Sequence, residues 1–152
     1  MGVACATGPA YWYSGPAHPR DDDAVLSPSG GDLQRHFTVV IIALDGRPLE
    51  ASSTSELRIA PGPHAFRARV KFRQYATGWA QTWMEAEVHA SFEARRGHTY
   101  LPDAVVAGSG VFGNVADMGV DYPATCLPSQ RAGIARLLPP TAEINDGCLA
   151  RR

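Results

Sequence analysis

A chain of 152 residues with 45% hydrophobic and 19% charged residues can bury a core, which makes it one globular domain rather than a disordered segment. A formal net charge of -1 without a basic block excludes the usual nucleic-acid binders, and no apolar run reaches the length of a membrane-spanning helix. Twelve prolines and fifteen glycines favour many turns over long helices.

Residues 1–30 carry little regular pattern and are expected to form a disordered tether. Within them, Gly2-Val3-Ala4-Cys5-Ala6-Thr7-Gly8-Pro9 resembles the end of a bacterial lipoprotein signal, where small residues precede the cysteine that receives the lipid. Gly2 stands where leucine is usual, and the charged and apolar parts of a signal are not present. The resemblance therefore implies a start that was trimmed or assigned late, with Cys5 the lipidated first residue of the mature protein. It also resolves the odd count of three cysteines, because Cys126 and Cys148 remain to pair in an oxidising compartment. No C-x-x-C spacing or Cys/His cluster suggests a structural metal.

Asp21-Asp22-Asp23 leads into a short edge strand at Ala24-Val25-Leu26. After a polar linker over 31–36, Phe37 to Leu44 is apolar on both parities apart from Thr38, which predicts a central strand covered on both sides. Asp45-Gly46 ends it, and Pro48 bars its continuation in a sheet interior. Glu56-Leu57-Arg58-Ile59 begins another alternating strand, and Pro61-Gly62-Pro63 turns the chain because both prolines fix φ and lack a donor.

The clearest pattern follows. Phe66, Ala68, Val70 and Phe72 alternate with Arg67, Arg69, Lys71 and Arg73; beyond a loop containing Gly78, Met84, Ala86, Val88, Ala90 and Phe92 alternate with Glu85, Glu87, His89 and Glu93. Each is a strand with one apolar face, and the two carry opposite charge on the other. A hairpin that sets Lys71 opposite Glu85 and Arg69 opposite Glu87 also sets Phe72 opposite Met84 and Val70 opposite Ala86. Cross-strand pairs contribute roughly 0.2–1 kcal/mol each, so both faces favour one register.

Arg96-Gly97-His98 is a second tight turn that returns Tyr100-Leu101 to the sheet. Over 102–126 the glycines at 108, 110, 113 and 119 predict one or two short, bulged strands. Ser129 caps a short helix to about Leu138, with Ile134, Leu137 and Leu138 on one side and Pro139-Pro140 stopping it. A Cys126–Cys148 bridge is expected to pin the tail to Arg152, worth about 3 kcal/mol in the chain-entropy model.

Several of these elements recur together in small proteobacterial lipoproteins of unknown function, which the chain resembles over roughly residues 5–101. The matching pieces are Tyr13-x-Gly15-Pro16 with Pro19, Asp23-Ala24-Val25-Leu26, Asp45-Gly46, Pro61-Gly62-Pro63-His64, and Ala94-Arg95-Arg96-Gly97-His98-Thr99-Tyr100. The layout also looks like small β-sandwich modules of bacterial surface proteins. No activity comes with either likeness.

No catalytic, cofactor or metal site is expected. His18 and His36 lie in linkers, His64 and His98 in turns, and His89 on a charged strand face, solvent-linked to Arg67 or Arg69. The aspartate run lacks the alternating ligands of a calcium loop and is expected to be solvated. Ser109 lacks the Gly-x-Ser-x-Gly context of a nucleophile elbow. Tyr75, Trp79 and Trp83, at the loop end of the long hairpin, are the candidates for binding a partner; the competing reading buries them.

The expectation is an all-β fold: a single antiparallel β-sandwich of about seven strands over 31–140, preceded by the tether and holding at most one short C-terminal helix. Its role is a non-enzymatic lipoprotein of the bacterial envelope, anchored through Cys5 and facing a periplasmic or envelope protein partner. A flexible spacer of 20 to 30 residues reaches about 25–30 Å. The rival readings are an inhibitor or immunity protein against an envelope toxin, an enzyme or carbohydrate-binding protein acting on cell-wall material, and a small-ligand carrier, which would need an internal cavity.

Overall fold

The computed structural model describes residues 10–12, 22–32, 37–49, 56–75, 81–108, 110–123 and 126–127. Cys5, Trp79, Cys148, Ser109, the two linker histidines and the helix expected over 129–138 lie outside them, as does the side chain of Tyr75.

Among the described residues the chain forms ten strands: β1 (Ala10–Trp12), β2 (Ala24–Leu26), β3 (Ser29–Asp32), β4 (Phe37–Leu44), β5 (Arg47–Pro48), β6 (Leu57–Ile59), β7 (Gly62–Tyr75), β8 (Gln81–Ala94), β9 (His98–Ala107) and β10 (Gly110–Val120). They make two packed sheets, a β-sandwich. The front sheet runs β3-β4-β7-β8 with β5 beside β4, and the back sheet runs β1-β6-β2-β9-β10. The back sheet is mixed rather than antiparallel throughout, since β1 pairs with β6 and β2 with β9 in parallel. The count exceeds seven because β1, β3 and β5 are pieces of two to four residues, too short to carry a period. The sandwich also starts before residue 31. Ala24 and Leu26 are fully buried, so the folded part begins inside the segment read as tether.

Alternation built the β7–β8 hairpin as expected, with Lys71 opposite Glu85, Arg69 opposite Glu87, Phe72 opposite Met84 and Val70 opposite Ala86. The apolar parity of β7 faces inward, where Phe66, Ala68 and Val70 meet Leu26, Leu57, Ile59 and Tyr100. The central strand β4 departs from its expectation of cover on both sides. Val39, Ile41, Ala43 and Leu44 are buried, but Thr38, Val40 and Ile42 on the outward side are only half-buried. For Thr38 and Val40 the ladder offers shelter, since Lys71 and Arg69 stand opposite them and can lay aliphatic stems along them.

The 102–120 region holds two long strands, not short fragments. Its glycines mark special geometry inside and between strands. Gly108 turns the hairpin at φ 59°, and Gly119 sits at φ 77° in a bulge between Asp117 and Val120. Gly113 lets the back sheet touch the front one: a Cβ there would lie 2.7 Å from the His89 carbonyl oxygen. Arg95 to Gly97 is a turn, but it carries the chain from the front sheet to the back one instead of closing a hairpin.

Candidate functional site

One end of the sandwich gathers the Asp-Gly, Pro-Gly-x-His and Gly-His-x-Tyr elements. Asp45 and Gly46 both adopt positive φ, 49° and 79°, in a two-residue link between β4 and β5, which Asp-Gly favours. That turn aims the Asp45 carboxylate at the start of β7. Its Oδ1 accepts from the Ala65 N–H at 2.9 Å and its Oδ2 lies 2.6 Å from His64 Nδ1. The other ring nitrogen, Nε2, is 2.7 Å from the Ala60 carbonyl oxygen. Both ring nitrogens therefore face oxygen atoms.

A second pair stands across the same end, with the same sequence separation of 19. His98 Nδ1 lies 2.8 and 3.0 Å from the two oxygens of Asp117, whose Oδ1 also accepts from the Gly119 N–H at 2.8 Å. Burial by itself would raise the Asp117 pKa. The His98 bond, the Gly119 N–H and the charges of His98 and Arg95 outweigh burial and hold it below its ordinary 3.8. A depressed carboxyl contributes stability that is present above the unfolded value and is lost as pH falls through the folded one. Acid unfolding below about pH 3.8 should thus be blunted in Asp117→Asn, whose urea midpoint should lie below that of the parent at neutral pH and converge on it in acid.

An aromatic row joins the pairs. Phe92 lies 5.9 Å from His64 and 4.9 Å from Tyr100, and Tyr100 lies 6.3 Å from His98 between ring centroids. The Tyr100 hydroxyl accepts from Arg95 N–H at 2.8 Å and donates to the Glu93 carbonyl at 3.3 Å, closing the turn between the sheets. A shallow depression of about 490 Å³ opens beside the row, lined by Asp45, Pro63, His64, Ser91, Phe92 and Glu93.

The arrangement braces turns. His64 has no ring nitrogen left for a substrate proton, and His98 Nε2 has no hydrogen bond to a hydroxyl or thiol among the described residues. The described residues also hold no group of three or more His, Cys, Asp or Glu side chains placed for a metal. The aspartate run differs from its expectation of full solvation. Asp22 pairs with Arg96 at 2.8 Å, whereas Asp23 is 2% exposed, because its carbonyl takes the Gly97 N–H and holds it beneath that turn.

The opposite end carries Trp83. It is 54% exposed and stands opposite Arg73, as a surface residue rather than a core one. Trp83→Ala is accordingly expected to cost less than about 1 kcal/mol in a denaturant titration, where a buried tryptophan would cost about 3–5. Sequence reasoning missed Val105, Val106 and Phe112, which are also exposed there. The usable signal was a pair of adjacent valines directly before the Gly108 turn. On the hairpin's charged face the ion pairs sit one rung off the register, Arg69 to Glu85 at 2.8 Å and Arg67 to Glu87 at 3.5 Å. His89 faces Arg67 in the ladder, with Nε2 3.9 Å from Glu87. Cys126 is buried and disulfide-bonded.

No family model, curated protein or solved structure matches the chain.

Proposed function

We propose that the chain is a lipid-anchored envelope protein facing the periplasm, acting by binding or as a structural module and not by catalysis. One observation carries this reading. The side chains that would do acid–base work, His64 and its Asp45, are spent bracing turns, while large apolar side chains stand in solvent at the far end. The small residues before Cys5 support an anchor at that cysteine, and a bonded Cys126 fits an oxidising compartment.

The test expresses the chain from a longer upstream reading frame and follows Cys5. Incorporation of labelled palmitate, abolished in Cys5→Ser, is the expected result, with Cys126 linked to Cys148 in a non-reduced peptide map. An unmodified Cys5 in the membrane fraction would sink the anchor. So would a Cys5–Cys126 bridge, since one sulfur cannot carry both a thioether and a disulfide. Crosslinking in the native envelope then identifies what the module touches.

A further inference from the structure

We propose that the hairpin end of the sandwich inserts into an anionic lipid surface, with Trp83, Met84, Val105, Val106 and Phe112 entering the interfacial layer and Lys71 meeting headgroups. This rests on the reading of a membrane-held module and names the surface that the module contacts.

The two hairpins reach the same end of the molecule. β8 runs away from Gln81, the turn at 95–97 reverses the chain, and β9 returns to Gly108, so Gln81 and Gly108 both lie opposite the histidine pairs. The approach of Gly113 to the His89 carbonyl sets β10 beside β8. There the five apolar side chains are between 41% and 60% exposed.

Parity decides the occupant. Trp83 and Met84 are consecutive strand residues and project to opposite sides; Val105 and Val106 do the same. A protein surface laid against one face of a sheet would cover one parity and leave the other wet. Burying both needs a medium that surrounds the tip, which a bilayer interface provides, and tryptophan is at home in that layer.

Charge selects the kind of lipid. The one-rung offset gives Glu85 to Arg69 and Glu87 to Arg67, so Lys71 is left without an acid in ion-pair range among the described residues. In the same row Arg73, paired with Trp83 in the ladder, stands two residues nearer the tip. A residual positive charge beside an apolar tip complements anionic headgroups.

The experiment uses the full chain with Cys5→Ser, which cannot be acylated, sedimented with phosphatidylglycerol–phosphatidylethanolamine vesicles and, in parallel, with phosphatidylcholine vesicles. Binding to the anionic vesicles is expected. Val105→Asp with Phe112→Asp should weaken it about tenfold or more. Lys71→Gln should weaken it about fivefold on anionic vesicles and leave phosphatidylcholine unaffected. Melting curves establish that each variant folds, and Val106→Ser gives a milder change should the double variant not. Absent binding, or binding that these substitutions leave unchanged, overturns the proposal. Dimerisation in the absence of lipid, abolished by the same substitutions, would identify a second copy as the occupant and overturn it too. Since Cys5 takes no part, failure here is separate from failure of the anchor, which palmitate labelling reads.

Discussion

Replacing Gly30 with alanine should lower stability by about 3 kcal/mol or more, at the top of the range for overpacking. A Cβ at this position would overlap the Pro102 carbonyl oxygen and lie 3.3 Å from its Cγ. Neither side can yield cheaply. Gly30 belongs to β3 and pairs with Val39 of β4, while Pro102 is buried in β9, opposite Val115 of β10. Relief would have to move backbone in both sheets, because the obstructing atom is not the end of a flexible side chain. Gly46→Ala is the control. Nothing lies within 4 Å of a Cβ added at this turn, but φ is +79°, so backbone strain alone should cost about 1–2 kcal/mol. Urea titration of both variants separates contact from conformation. A Gly30→Ala protein as stable as its parent would mean that β3 does not lie against β9.

The β7–β8 pairing was legible because two independent signals, apolar parity and charge sign, agreed on which residues share a face, and a slip by one residue would have inverted both. The ion pairs were not legible in the same way. Backbone bonds and inward side chains fix the ladder, whereas long outward side chains are free to lean along the strand, so Arg69 reaches Glu85 diagonally. Glycine misled for a related reason. Gly113 looks in sequence like a strand breaker, and only the crossing of β8 and β10 makes it a point of close approach. Topology was hidden as well, since a three-residue turn at 95–97 has the sequence of a hairpin whichever sheet receives the next strand. The motifs at 45–46, 61–64 and 97–100 could be seen singly. Their meeting at one end depends on pairings 19 residues apart that no local pattern encodes.

Tyr100 is where that end is most vulnerable, and Tyr100→Ala should cost about 3–5 kcal/mol. The ring is 3% exposed and packs between Phe92 and His98, so truncation opens a cavity between the two sheets and uncouples the two histidine–aspartate pairs. Tyr100→Phe keeps the ring and removes only the hydroxyl. It leaves the Arg95 N–H without its acceptor and the Glu93 carbonyl without its donor, and about 1–2 kcal/mol is expected. The two variants also differ from the parent in alkali. Burial, partly offset by the Arg95 N–H, raises the Tyr100 pKa above its ordinary 10.0. The unfolded chain then ionises first, so the stabilisation is intact below that value and fades as pH rises through it towards the folded one. Melting temperatures taken from neutral to alkaline pH should fall more steeply for the parent than for Tyr100→Phe. Equal slopes would place the hydroxyl in solvent, and an alanine variant no weaker than the phenylalanine one would deny the ring its place between the sheets. Either outcome would detach the turn at 95–97 from the aromatic row, and with it the bracing role of Gly97-His98-Thr99-Tyr100.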